Sequence, residues 1–290
     1  MSFSRKRMRL VTRTFTYVAL GIWSIIVLFP MYWLVITSFK LPVDVHKGLS
    51  YIPWWDFMPD LYAWSYLFGP MQSRETWPPF INSAVIAILS AALALFIGSL
   101  GGYGLARFTY RLKGIGNNQI AFWFISQRMM PPVIVVFPIM ILFRSLRLMD
   151  TQLGMILVYT TFGVPFVVWV MRDFFAGIPK EIEESAYIDG CSRLQAFVRI
   201  ALPLAAPGLV ACYLLVLIYA VNEYLFALLL TFGAAATMPI YIAGQTLSAK
   251  GLEWWTMSAL TLFAVTPTVI LGLLLEKYIT RGIVMGSLKW

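Results

Sequence analysis

The sequence predicts an all-α, polytopic membrane protein with six transmembrane helices, and two observations carry the prediction. The 290 residues are 60% hydrophobic and 12% charged, whereas soluble globular chains are about 45–50% apolar and about 25% charged. The apolar residues also fall into six segments, each long enough for the roughly 20-residue helix that crosses about 30 Å of hydrocarbon. We therefore expect residues 1–290 to form a single transmembrane domain.

The six predicted spans follow in chain order, separated by polar or proline-rich connections. They cover residues 15–39, 82–105, 119–143, 153–175, 203–231 and 256–279. Five basic residues precede the first span, which is longer than the roughly 7–15 apolar residues of a signal peptide and lacks a cleavage site after it. The first span is therefore predicted to be a retained membrane anchor.

The distribution of basic residues predicts the orientation of these spans. Of the 22 lysines and arginines, 15 fall on the side that holds the amino terminus and 6 on the opposite side, while Arg128 lies inside the third span. Because basic residues accumulate on the cytoplasmic side, both termini are predicted to be cytoplasmic. The proline- and tryptophan-rich segment 40–80 is then extracytoplasmic, and its tryptophans suit either a membrane-interface belt or the surface for an extracytoplasmic partner.

Several function classes are excluded by the residues present. The net charge of +9 comes from basic residues at the ends of apolar segments, which gives no continuous face for a nucleic acid. His46 is the sole histidine, and Cys191 and Cys212 form no CxxC pair, so the sequence predicts no metal site and no disulfide framework. No GxxxxGK[ST] motif occurs. We therefore predict a non-catalytic membrane protein that holds no cofactor of its own.

The longest cytoplasmic segment, 177–203, is predicted to form two short helices. Proline at position 179 suits the start of the first helix, and Gly190 suits its end, where glycine adopts a positive φ readily. Ser192 with Gln195 forms a capping box that begins the second helix. The first helix offers acidic side chains together with Ile182 and Ile188, and it suits either docking into a partner's groove or lying at the membrane surface.

This segment resembles the EAA loop of the permease subunits of ABC importers. The family pattern is E-A-A, three residues, G, nine residues and I-x-L-P, and the chain matches it at every spacing, with Ser185 in place of the first alanine. The matching residues are Glu184, Ser185, Ala186, Gly190, Ile200, Leu202 and Pro203. The stretches GYGLARFTYRLKG, RMMPPVIVVFP, NEY and RGIVMGSLK also resemble the shorter six-span permease of carbohydrate-importing members.

The resemblance implies the fold of type I ABC importer permeases and a subunit of a binding-protein-dependent sugar importer in a bacterial or archaeal cytoplasmic membrane. The implied partners are a second permease subunit, two ATPase subunits that hold ATP and magnesium, and an extracytoplasmic solute-binding protein. The loop would be the coupling helix that docks on the ATPase. The residues implied for this contact are Glu183, Glu184, Ser185, Ala186, Asp189 and Gly190.

Polar residues inside the spans are candidates for the substrate pathway, because a charged group in a membrane is costly without a role. They are Arg128, Asn222, Glu223 and Tyr224, and their alternative role is hydrogen bonding to neighbouring helices. The predicted depths of Arg128 and Glu223 differ by about 10 Å, which argues against a direct ion pair. Pro131, Pro132 and Pro138 predict a bend in the third span.

Two other classes remain as alternatives on the sequence alone. A secondary transporter or channel would be expected to show repeated broken helices or several intramembrane carboxylates, and Glu223 is the single acidic residue deep in a predicted span. An intramembrane enzyme lacks support, because no predicted span contains a histidine or a pair of carboxylates. In the second span, Gly98 and Gly102 form a GxxxG pattern that predicts close helix packing.

Overall fold

A computed structural model of the chain describes residues 2–70, 72–110, 114–245 and 253–287. Within these ranges the regular structure is helical, apart from one isolated bridge between Pro53 and Phe57. This confirms the all-α fold class. Four basic residues that contribute to the orientation prediction lie outside the described residues, namely Arg111, Lys113, Lys250 and Lys289.

The chain divides into two compact units, 1–74 with 244–265 and 75–243 with 266–290. In the first unit, α1 (Ser2–Ser38) contains the predicted first span, and it leads to the short helices α2 (Pro42–His46) and α3 (Tyr62–Leu67). Lys40 fixes the segment after α1, because its buried ammonium donates to the Ser50 carbonyl at 2.7 Å and lies over the Trp33 and Phe57 rings. Burial lowers the pKa of Lys40, although the negative charges of Asp56 and Asp44 oppose the shift.

The helix that contains the second span, α4 (Gln72–Arg107), begins ten residues before the predicted start of that span. The sequence interpretation placed Pro78 and Pro79 in the extracytoplasmic connection before that span, and both residues are helical in the structure. The helix continues through both prolines, which membrane helices tolerate where neighbouring groups satisfy the freed carbonyls.

Close packing joins α4 to α7 (Gln152–Ala176), as the GxxxG pattern predicts. A Cβ built on Gly98 would lie 2.5 Å from the Val167 side chain, and one on Gly102 would lie 2.9 Å from the Arg172 backbone nitrogen. No larger residue fits at either position without a shift of α7. Helix α7 is the centre of this unit's core, with Tyr159, Met171 and Phe175 almost fully buried along it.

The predicted third span is two helices at a sharp angle. Helix α5 (Asn117–Ser126) continues into a 3₁₀ turn (Gln127–Met129), and α6 (Pro132–Leu146) follows at an angle of 89°. The break ends at Pro131, and Pro132 begins α6, which confirms the predicted bend at these two prolines. The break does not extend to Pro138, because α6 continues through that residue. Proline lacks the backbone N–H that would continue the helix, and it disfavours helical backbone in the preceding residue.

The predicted fifth span is also interrupted. After α8 (Lys180–Ile188), helix α9 (Arg193–Ala196) runs through a π-helical stretch (Phe197–Ala201) into α10 (Leu202–Leu204), and this segment meets α11 (Ala206–Asn222) at 76°. Helix α11 stops at Asn222, and α12 (Leu225–Leu230) begins after a two-residue break. The sequence predicted a continuous helix here, because the run of apolar side chains does not reveal an interruption by Glu223.

Two further helices complete the chain. Helix α13 (Met238–Gln245) follows α12, and α14 (Trp254–Ser287) contains the predicted sixth span. Among the described residues, four helices are long and apolar enough to cross a membrane, and the number reaches six when each bent pair counts as one span. The six-span interpretation is compatible with this arrangement.

Candidate coupling loop and transport pathway

The first helix of the segment 177–203, α8, ends as the sequence predicts. Gly190 has a φ of +87°, and the backbone N–H groups of Gly190 and Cys191 donate to the carbonyls of Tyr187 and Ala186 at 3.1 and 2.9 Å. These two bonds form a Schellman motif, which satisfies carbonyls at the end of a helix. Gly190 therefore sets the direction in which the chain leaves α8.

The second helix begins with the predicted capping box. The Ser192 hydroxyl accepts from the Gln195 backbone N–H at 3.3 Å, and the Gln195 side chain accepts from the Ser192 backbone N–H at 2.8 Å. The two helix ends consequently meet in a defined turn of four residues, 189–192, rather than in a long loop.

The residues predicted to contact an ATPase divide into an exposed set and a buried set. Glu184, Ser185, Asp189 and Gly190 are exposed, and the neighbouring Ile188 is 87% exposed. We call these five residues the α8 outer face. It combines two carboxylates with one apolar side chain, which is a composition suited to docking on a basic or amphipathic partner surface.

Glu183 and Ala186 lie on the opposite side of α8, where they are 2% and 7% exposed. The sequence interpretation placed both residues in the direct ATPase contact. Their burial corrects this, because neither side chain reaches the α8 outer face. Residues three apart share one face of a helix, so the burial of both residues follows from the helix geometry once one of them faces inward. The small size of Ala186 serves packing within the chain.

The Glu183 carboxylate is held by two residues of α4. It accepts from the Tyr103 hydroxyl at 2.6 Å and from the Arg107 Nε at 2.7 Å, and the Arg107 Nη2 lies 2.7 Å from the same carboxylate. Arg107 also donates to the Ile178 carbonyl at 3.0 Å, just before α8. The sequence interpretation missed this cluster. Its one available signal is the spacing of Tyr103 and Arg107, which places them on the same face of α4.

Arg128 lies at the break in the third span, as part of the 3₁₀ turn. Its guanidinium carbon is 5.6 Å from the centre of the Phe166 ring and 5.1 Å from that of Tyr219. Arg128 also lines a cavity of about 190 Å³ with Gly163, Leu215 and Val216 as further lining residues. Two aromatic faces stabilise the cation here, at the border of the cavity.

Glu223 lies at the break in the fifth span and is 9% exposed. Its carboxylate accepts from the Tyr159 hydroxyl at 2.9 Å and from the backbone N–H groups of Phe226 and Ala227 at 3.0 and 3.2 Å. It therefore caps the start of α12 and joins that start to α7. These contacts correspond to the helix-bonding alternative that the sequence left open for Glu223.

Asn222 and Tyr224 flank the same break and are exposed. Asn222 donates to the Ile218 carbonyl of its own helix at 2.8 Å, and Tyr224 is 42% exposed. Among the described residues the ion pairs are Lys47–Asp44 and Arg107–Glu183, so Arg128 and Glu223 do not pair there. Their contacts on α7, Phe166 and Tyr159, are seven residues apart, or about 10.5 Å along the helix, which agrees with the predicted separation.

Asp150 organises a second polar cluster that the sequence interpretation did not identify. Its carboxylate accepts from four consecutive backbone N–H groups, those of residues 232–235, at 3.0–3.2 Å. Burial alone would raise the pKa of Asp150, but the four N–H groups together lower it below the usual value. Asn82 reinforces the same segment, because its amide donates to the Ala234 and Ala236 carbonyls at 2.9 and 3.0 Å. The segment after α12 is thus held rigidly.

Long apolar helices, two bent helix pairs and an exposed helical loop are the features of a polytopic membrane protein. The comparison with known families makes the assignment specific. Residues 98–285 match the family described as "Binding-protein-dependent transport system inner membrane component", and the chain belongs to that family.

Individual relatives agree with this assignment. The chain is 31% identical to "Inner membrane ABC transporter permease protein YcjP" of Escherichia coli (strain K12), over 97% of this chain and 98% of the relative. It is 30% identical to "Trehalose/maltose transport system permease protein MalG" of Thermococcus litoralis, over 92% and 93% of the two chains. Its fold is similar to that of a chain in the crystal structure of a bacterial ABC transporter involved in the import of alginate. The TM-score is 0.76 at 21% identity, and the match covers 94% of this chain and 98% of that chain.

Proposed function

We propose that this chain is one of two transmembrane permease subunits of an ATP-driven, binding-protein-dependent importer for a sugar or sugar derivative. The observation that carries the proposal is the α8 outer face, which a rigid loop presents at the end of α7 in a chain of this family. Relatives named for trehalose/maltose and diacetylchitobiose transport support a carbohydrate substrate.

In this proposal the α8 outer face docks on a separate ATPase subunit. Glu184 and Asp189 offer negative charge to basic ATPase residues, Ile188 fills an apolar part of the docking surface, and Gly190 lets the two surfaces approach closely. The ATPase subunits bind ATP and magnesium and perform the hydrolysis. Closure of the ATPase pair then moves the coupling helices and rocks the two permease subunits between inward-open and outward-open states.

The substrate pathway lies at the breaks in the third and fifth spans. Arg128, Asn222 and Tyr224 are exposed there and offer N–H and hydroxyl groups of the kind that bind sugar hydroxyls. Glu223 positions this region by capping α12 rather than by direct contact. Both termini and the coupling loop face the cytoplasm, and an extracytoplasmic binding protein delivers the substrate to the opposite side.

The test is transport by the reconstituted complex. The chain, its partner permease, the ATPase and the binding protein are placed in proteoliposomes with ATP inside, and uptake of radiolabelled maltose, trehalose and other sugars is measured. We expect uptake that requires both ATP and the binding protein, and that is lost in Glu184→Lys, whose side chain reverses the charge of the outer face. Uptake driven by an ion gradient without ATP would instead show a secondary transporter.

A further inference from the structure

The Glu183–Arg107–Tyr103 cluster joins three parts of the second unit in one place. Glu183 belongs to α8, Tyr103 and Arg107 belong to the last turns of α4, and the Ile178 carbonyl belongs to the connection between α7 and α8. The Arg107 and Glu183 side chains are 8% and 3% exposed, so water competes little with the ion pair.

Aromatic packing surrounds this cluster and adds the second helix of the loop. The Tyr103 ring is 5.4 Å from the Phe175 ring of α7 and 4.6 Å from the Phe197 ring of the π-helical stretch, measured between centres. Edge-to-face and tilted contacts at these separations are favourable. The ends of α4, α7 and α8 are therefore connected by both polar and apolar contacts.

The sequence separations show what the cluster adds to chain connectivity. Helices α7 and α8 are joined by three residues, 177–179, whereas Tyr103 and Glu183 are 80 positions apart. A displacement of α8 reaches α7 through the chain itself, and it reaches α4 indirectly through the packing of α4 on α7. The side chains of the cluster add a direct contact from α8 to α4. Among the described residues, Arg107–Glu183 is the ion pair that links α4 to the loop.

Resting on the proposed function, we infer that Glu183 is a positioning residue that transmits movement of the coupling helix to α4. The ion pair makes α8 and the end of α4 one rigid body, so that a push on the outer face by the ATPase moves a membrane-spanning helix. Glu184, the adjacent residue, acts at the ATPase surface, whereas Glu183 acts inside the permease. Two neighbouring glutamates on one helix thus have separable roles.

The variant that tests this role is Glu183→Gln, which keeps the size of the side chain and removes its charge. Glu181→Gln is the matched control, because Glu181 is on the same helix and exposed. We expect Glu183→Gln to retain the ATPase subunits in the purified complex. Because allosteric coupling between sites amounts to roughly 5–150-fold, we expect it to lose at least about tenfold in binding-protein-stimulated ATP hydrolysis and in uptake, with the control at wild-type values.

A distance measurement separates transmission from a merely structural role. Spin labels are attached at Thr109, just beyond α4, and Lys180, at the start of α8, after both native cysteines are replaced; both positions are exposed. We expect the label-to-label distance to be the same in the nucleotide-free and ATP-bound complexes of the otherwise wild-type protein. In Glu183→Gln we expect the distance to differ between those two states.

The possible outcomes are distinct. Wild-type transport by Glu183→Gln, or a distance that changes on ATP binding in the wild-type background, overturns the inference. Loss of the ATPase from Glu183→Gln places Glu183 at the docking surface and also overturns it. If the wild-type complex itself shows no ATP-dependent uptake, the proposed function fails rather than this inference.

A double variant covers the case in which Glu183→Gln does not fold because it leaves Arg107 buried and unpaired. Replacing both partners of a buried ion pair with apolar residues is often neutral for stability. We therefore expect Glu183→Met with Arg107→Met to assemble with its partners and to transport at least about tenfold more slowly than wild type. Wild-type transport by this double variant would show that the ion pair does not transmit the movement.

Discussion

At the end of α8, the effect of a substitution on docking to a partner can be separated from its effect on folding. Gly190 has a φ of +87°, and no atom lies within 4 Å of a Cβ built there. A side chain at this position meets no steric clash within the chain, so the substitution destabilises the permease itself only through the strain of a left-handed backbone. That cost is about 1–2 kcal/mol for most residues and less for asparagine.

Gly190→Asp weakens the free energy of ATPase binding by more than this strain if the α8 outer face docks on an ATPase. A new carboxylate beside Asp189 and Glu184 would be desolvated without a partner, and a buried unpaired charge at an interface costs about 2–5 kcal/mol. Since about 1.4 kcal/mol corresponds to a factor of ten, the ATPase should bind at least about 30-fold more weakly. The backbone strain is small beside the roughly 5–15 kcal/mol stability of a folded domain, so the permease should still assemble.

Three substitutions at Gly190 separate the effect of backbone strain from the effect of a new charge at the docking surface. Gly190→Asn adds an uncharged side chain that accepts positive φ, Gly190→Ala adds strain without polarity, and Gly190→Asp adds strain and charge. We expect ATPase affinity, measured by titration onto permease pairs in nanodiscs, to fall most for Gly190→Asp. Thermal unfolding of the permease should differ little among the three. Equal affinity for all three variants and wild type would refute the docking role of this turn.

The remaining predictions concern orientation, the break in the fifth span and the Asp150 cluster. In intact cells, a cysteine at Asp60 should react with an impermeant thiol reagent and one at Ser185 should not; the reverse pattern contradicts the proposed orientation. Glu223→Ala should lower the free energy of unfolding by about 3 kcal/mol, because it leaves two backbone N–H groups and the Tyr159 hydroxyl unpaired, and Glu223→Gln should lower it less. Loss of uptake with an unchanged free energy of unfolding would indicate that Glu223 contacts the substrate instead. Asp150→Asn should cost about 2 kcal/mol at pH 7 by weakening bonds to four N–H groups. Those bonds lower the pKa of Asp150 in the folded protein. The stabilisation by the carboxylate is therefore complete above the unfolded-state pKa of about 3.9, and it is lost as the pH falls through the folded-state pKa. The difference in unfolding temperature between Asp150→Asn and wild type should consequently shrink below about pH 4. A difference that is constant from pH 7 to pH 3 contradicts the assignment.

Local chemistry explains which parts of the fold the sequence predicted. The ends of α8 and the start of α9 depend on Gly190 and on the Ser192 capping box, and the bend in the third span depends on Pro131 and Pro132. Each of these signals acts within a few residues, and the structure confirms all of them. Span positions follow from apolar length, although the helix that contains the second span, α4, begins ten residues before the predicted span.

The parts that the sequence did not predict depend on contacts between distant residues. Nothing in the pair Glu183 and Glu184 indicates which one faces inward, because both lie in one short helix and the choice is made by Arg107, 76 positions away. The interruption at Glu223 depends in the same way on Tyr159 of another helix. A carboxylate can satisfy the free N–H groups of a new helix start, and this role is visible only when its partners are known.

The most direct test of the central claim is a cross-link from the outer face of α8 to the ATPase. A cysteine at Ile188, which is 87% exposed, and a control cysteine at Ala186, which is 7% exposed, are introduced into a permease that lacks its native cysteines. In the assembled complex, a bifunctional thiol reagent should join Ile188→Cys to the ATPase subunit with a yield that changes on ATP binding, and should leave Ala186→Cys unreacted. No cross-link from Ile188→Cys in a complex that hydrolyses ATP and transports substrate would contradict the account.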